Sequence, residues 1–113
     1  MAVTHVALFR FTEESTSGQV AALADGLAGL PSEVPTLHSF TFGPDLGLLE
    51  GISDASWDYG VVATFDDADD YHAYRTHPAH VAVVKERLSP IAADRATIQL
   101  HGAPDRPAPL ASP

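Results

Sequence analysis

The chain has 113 residues, room for one domain with one hydrophobic core, and its 45% apolar and 19% charged content is globular rather than disordered. Fifteen acids against six bases leave a net charge of −9, which disfavours nucleic acid and anionic membranes as partners; no apolar run approaches the roughly 18 to 20 residues that cross a bilayer. The absence of cysteine excludes disulfides, thiolate nucleophiles and thiolate metal sites, and with no signal-peptide pattern at Met1-Ala2-Val3-Thr4-His5 a cytoplasmic protein is expected.

Val3 to Phe11 alternates strictly and predicts a strand. Val3, His5, Ala7, Phe9 and Phe11 share one face; Thr4, Val6, Leu8 and Arg10 share the other. Both faces are largely apolar, so each needs a cover. Thr16-x-x-Gln19 has the form of a capping box, and Val20, Leu23, Leu27 and Leu30 follow at helical spacing until Gly29 and Pro31 end the helix. Thr36 to Phe42 predicts a second strand, with His38, Phe40 and Phe42 on one face; His38 is a candidate for a dimer interface. Gly43 to Ser56 reads as a loop whose Leu46, Leu48, Leu49 and Ile52 pack onto something.

Trp57 to Phe65 predicts a third strand, with Trp57, Tyr59, Val61, Ala63 and Phe65 on one face. Asp66 and Asp67 cap a short helix through Tyr74, with acids where the helix dipole favours them. Pro78 starts a further helix, capped by Thr76 or His77, because a proline lacks only an N–H that the first turn leaves unpaired. At 100° per residue His80 falls on the same stripe as Val84, Leu88 and Ile91, so a titratable ring faces the core. Ala96 to His101 predicts a fourth strand. Residues 1–102 form the domain; residues 103–113, with four prolines and three alanines, form an extended tail that adds little to it.

The order strand, helix, strand, strand, helix, strand is α+β. It predicts a ferredoxin-like four-stranded antiparallel sheet with its helices on one face. Because the first strand needs cover on both sides, the open face is expected to meet a second copy, giving a homodimer through its sheet faces.

The opening His5-Val6-Ala7-Leu8-Phe9-Arg10-Phe11, the Gly43-Pro44-Asp45 turn, Trp57-Asp58-Tyr59 and Tyr74-Arg75-Thr76-His77-Pro78-Ala79-His80 together resemble the stress-responsive A/B barrel (Dabb) family, from about Thr4 to Leu100. The resemblance implies a dimeric α+β barrel. Within that family the chain is similar to the plant olivetolic acid cyclase at His5, Tyr74, His77, Pro78, Ala79 and His80. That likeness implies that Tyr74 and His80 form a catalytic pair, that His5 lines the pocket, and that no cofactor is used. Two departures stand out. A pocket histidine of strand three is replaced by Tyr59, and the carboxylate that orients the catalytic histidine has no counterpart on strand four, which offers Gln99 and His101.

The candidate catalytic residues are therefore His80, Tyr74 and His5, in a pocket walled by Ala7, Phe9, Tyr59, Val61, His77 and Val84. Each has an ordinary structural reading beside the chemical one. A histidine on an apolar helix face is commonly a core residue bonded to a backbone carbonyl, and a buried tyrosine is commonly packing. His77 suits a cap, and His72 and His101 suit solvent. The His77–His80 pair lacks a third ligand for a metal, and the glycines at 43, 47 and 51 precede a strand and make no phosphate loop. Two functions stay open: a cofactor-independent cyclase, isomerase or lyase acting on a small carbonyl or polyketide-like compound, or a non-catalytic dimer that binds a small apolar ligand or serves a stress response.

Overall fold

The computed structural model describes residues 1–49 and 56–109. In chain order the elements are β1 (Val3–Phe11), α1 (Ser17–Glu33), β2 (Ser39–Pro44), β3 (Tyr59–Phe65), α2 (Ala68–Thr76), α3 (Pro78–Val83) running directly into a π turn (Val84–Leu88), and β4 (Ala92–His101). The strands form one antiparallel sheet in the order β2-β3-β1-β4, with the helices on one face, which is the ferredoxin-like arrangement. No helix of the described residues is long and apolar enough to cross a membrane.

Alternation decides which side chains meet the helices. Val3, His5, Ala7 and Phe9 of β1 are buried there, beside Tyr59, Val61, Ala63 and Phe65 of β3. Leu23, Leu27 and Leu30 of α1 close over them, with Val34, Tyr74, Leu88 and Ile91 completing the core. On the other face Val62, Ile98 and Leu100 remain 39%, 54% and 50% exposed, and Val6 and Leu8 are half-buried.

Several boundaries differ from the expectations. α1 opens with the capping box, Thr16 and Gln19 each accepting from the other's backbone N–H, but it runs past Pro31 to Glu33, where the Val34 N–H still reaches the Leu30 carbonyl at 2.8 Å. So near the C-terminal end, the one bond that proline deletes does not stop the helix. β2 starts at Ser39 rather than Thr36, β3 at Tyr59 rather than Trp57, and β4 four residues earlier than Ala96. Trp57 and Asp58 instead clamp β1 from outside the strand: the Asp58 carboxylate accepts from the Phe11 N–H at 2.8 Å, and the Arg10 guanidinium lies 4.0 Å above the Trp57 ring.

Three further expectations need correction. Leu46 and Leu48 do not pack within this chain, being 80% and 82% exposed, and Leu49 is half exposed; Ile52 lies outside the described residues. His38 lies before β2, exposed, with its Nε2 3.0 Å from Asp105 and its Nδ1 3.7 Å from Asp66, rather than on the open sheet face. The start of the tail is held to the body. Gly102 N–H donates to the Ala2 carbonyl at 2.6 Å, the Thr4 hydroxyl donates to the Gly102 carbonyl at 2.7 Å, Ala103 is buried, and Arg106 binds the Asp66 carboxylate at 2.6 Å. Gly102 turns the chain at φ +90°, where a Cβ would stand 2.5 Å from the Ala108 nitrogen, so only glycine fits. Proline bars regular structure here without preventing packing.

Candidate functional site

The site is built where α2 packs on β1 and β3 and its junction with α3 leaves a cavity whose far side is β4. Asp67 caps α2 by accepting from the Asp70 N–H at 2.8 Å, and Tyr71, Tyr74 and Arg75 stand at i, i+3 and i+4, one face of the helix. The helix breaks at His77, whose extended backbone accommodates the following proline. The His77 Nδ1 then accepts from the Ala79 N–H at 3.1 Å and caps α3. This break turns His80 back onto Tyr74, with ring centroids 4.2 Å apart and planes inclined at 42°.

Beneath them the sheet supplies a floor and a wall. Antiparallel register sets Phe9 opposite Arg95, Ala7 opposite Thr97 and His5 opposite Gln99, so apolar β1 and polar β4 present their side chains to the same cavity. That cavity has a volume of about 410 Å³ and is bounded by His5, Tyr71, Tyr74, Arg75, His80, Arg95 and Gln99, among others. A narrower recess of about 40 Å³ continues inward past Val61, Leu27 and Val84.

Hydrogen bonds assign the protons. His80 Nδ1 lies 3.1 Å from the Arg75 carbonyl oxygen, which can only accept; the neutral ring therefore carries its proton on Nδ1 and a lone pair on Nε2. Burial lowers the His80 pKa. The Arg75 carbonyl opposes that shift, while the charges of Arg75 and His77 add to it. His5 has the complementary arrangement. Gln99 Nε2 donates to its Nδ1 at 2.8 Å, leaving the proton on Nε2, and burial followed by the charge of His80 lowers its pKa. Burial, reinforced by Tyr71, holds the Tyr74 hydroxyl far above the usual phenol range, so it is a permanent donor. Among the described residues that hydroxyl has no hydrogen-bond partner of its own. One acceptor nitrogen and two neutral donors can thus attend a single carbonyl compound, which is the equipment for moving a proton beside a C=O group.

Of the expected residues, His80, Tyr74, His5, Ala7, Phe9 and Val84 line the main cavity, and Val61 lines only its recess. Tyr59 does not reach it. It is buried on β3, beyond β1 from the cavity, against Phe11. His77 is spent on the cap rather than on the wall. Tyr71, Arg75, Arg95 and Thr97 were not anticipated, although helical spacing from Tyr74 marks the first two and alternation along β4 marks the other two; Leu88 lies on the stripe expected beside His80. Gln99 stands on β4 in place of the missing carboxylate, but it orients His5, and a backbone carbonyl orients His80.

A family model described as the stress responsive A/B barrel domain matches residues 3–100. Among solved structures, a dimeric ferredoxin-like protein of unknown function from Thermobifida fusca is 38% identical, with 88% of this chain and 90% of that one covered at a TM-score of 0.78. The hydroxynitrile lyase of Passiflora edulis is 19% identical, covering 88% and 91% at a TM-score of 0.76. A variant of SnoaB, a cofactor-independent oxygenase of Streptomyces nogalater, is 14% identical, covering 89% and 92% at 0.67. At those two identities the likeness is one of fold. No curated protein sequence matches the chain.

Proposed function

We propose, from the premise that the chain belongs to the stress-responsive A/B barrel domain family, that it is a homodimeric, cofactor-independent acid–base enzyme of lyase, cyclase or isomerase type acting on a small carbonyl compound. The observation that carries this reading is the tilted Tyr74–His80 ring contact on one cavity, with the histidine proton held on Nδ1 by the Arg75 carbonyl. Neutral His80 takes a proton from the carbon next to the carbonyl through Nε2 and becomes imidazolium. Tyr74 donates to the oxygen on which the charge gathers, and His5 is the second donor in reach of the cavity. The enolate then attacks a second carbonyl, expels a group, or takes the proton back at another carbon. Other members of this fold include a lyase and a cofactor-independent oxygenase, which agrees with chemistry carried by side chains alone.

The dimer is supported by the open sheet face, where Val62, Ile98 and Leu100 lie exposed, and by the exposed leucines of the loop after β2, which adjoin Leu8 and Gly60 of that face. The Thermobifida relative is itself dimeric.

Exchange of α-hydrogens for deuterium tests the chemistry without knowledge of the natural substrate. Small aryl and alkyl methyl ketones in D2O, followed by NMR, should exchange faster with the protein than with buffer. His80→Gln should abolish the increment, and Tyr74→Phe should reduce it by about 10²-fold. Binding of the ketones with no exchange would make the cavity a ligand site and nothing more.

A further inference from the structure

Arg75 of α2 and Arg95 of β4 border the His80–Tyr74 cavity, both exposed at its rim, and the proton transfer proposed above uses the Arg75 carbonyl but neither guanidinium. Bases are scarce in this chain, six against fifteen acids, and others of them have partners. Arg10 pairs with Asp94 at 3.6 Å, Arg87 donates to the Ala22 carbonyl at 2.6 Å, and Arg106 holds Asp66 at 2.6 Å. Among the described residues neither the Arg75 nor the Arg95 guanidinium meets a carboxylate. The cavity is also free of acids: none of its twelve lining residues is Asp or Glu. In a protein of net charge −9, an acid-free cavity with two guanidinium groups at its rim is a place where positive charge is gathered.

We propose that this site takes an anionic substrate: a carbonyl compound with an apolar or aromatic body and a carboxylate, the carboxylate held by Arg75 and Arg95 while the carbonyl reaches Tyr74 and His80. The inference rests on the acid–base reading for the fate of the carbonyl only; the preference for an anion stands on the charges. Planar guanidinium groups suit carboxylates through paired N–H donors. Spacing adds a constraint. Arg95 and Gln99 are four residues apart on one strand, about 13 Å between Cα atoms, and Gln99 holds His5 at the reacting end. Even with the reach of the arginine side chain, carboxylate and reacting carbonyl are several bonds apart. From the Arg95 side this spacing favours a longer keto acid or an acyl benzoate over an α-keto acid. A carboxylate beside Arg75 also offsets one of the charges that weaken His80 as a base, so binding prepares the reaction.

The test uses two probes that differ in charge, 4-acetylbenzoate and 4-methylacetophenone, titrated into the full-length protein with NMR detection. The carboxylate probe should bind about tenfold more tightly, and added salt should erode that margin. Arg75→Gln and Arg95→Gln should each reduce it, and the double variant should abolish it, read as the ratio of the two probes' affinities in each variant. Arg95→Lys should restore part of the loss, which separates charge from packing. Equal binding of the two probes, binding of neither, or a preference that survives in the double variant would overturn the inference. Deuterium exchange at the acetyl methyl group is read in the same samples. Preference without exchange upholds the anion site and refutes the chemistry; exchange without preference does the reverse.

Discussion

His5 and His80 are both pushed below the ordinary histidine pKa of 6.5, chiefly by burial, and each is fixed in a different tautomer by a different partner. The consequence for pH has a definite sign. A base must be neutral to act, so exchange activity should be level above pH 6.5 and fall as pH drops through the lowered pKa of His80. Stability follows the same direction. Below 6.5 the unfolded histidines bind protons that the folded ones refuse, so the melting temperature should fall as pH passes from 6.5 toward the folded values and stay flat just above it. His5→Gln should lessen that dependence in a thermal melt series. At this scale the sequence marked the Tyr74–His80 pair and His5 but not all of the residues that share their cavity. Alternation correctly turned Tyr59 toward the helices, yet could not show that it stands at the Phe9–Phe11 end of the sheet, packed on Phe11, while Val61 of the same strand reaches the recess. Nor does a carbonyl such as that of Arg75 leave any mark in a sequence; its role exists only once the helix break at His77 is formed.

At the scale of elements, the break between α2 and α3 sets the site. Losing the His77 cap by His77→Ala should cost about 1 kcal/mol in denaturant unfolding and loosen the register of His80 on Tyr74. Val84 and Leu88 reach the cavity together, as their spacing of four from His80 leads one to expect, although they open and close a π turn that the residue pattern does not announce. Strand faces, the capping box and Pro78 at the start of α3 were all legible because each follows from short-range geometry. The tail was not, because its contacts join residues about a hundred positions apart, Thr4 to Gly102 and Gly102 to Ala2. Truncation after His101 removes both bonds, the buried Ala103 and the Arg106–Asp66 pair. We expect a loss of about 2 kcal/mol in a denaturant titration, and a loss well under 1 kcal/mol would mean those contacts contribute little.

Over the whole molecule, one sheet separates two apolar layers, and one chain covers only the first. The second layer, from Val6 and Leu8 through Val62 to Ile98 and Leu100, is what the alternation of β1 required and what a second copy would bury. Light scattering should return about twice the chain mass of 11.9 kDa, and Val62→Asp, which sets a charge in that layer, should shift it toward the single-chain value. The site faces the other way, between helices and sheet, so assembly and chemistry are separable by mutation. The account as a whole turns on His80 being a neutral base with its free nitrogen at Nε2. The measurement that reaches this most directly is a pH titration of the 15N-labelled histidine rings by NMR. The account predicts a His80 pKa below 6.5 with the proton on Nδ1 at neutral pH, matched by the midpoint of the exchange–pH profile. A pKa above 6.5, or a proton on Nε2, would contradict it.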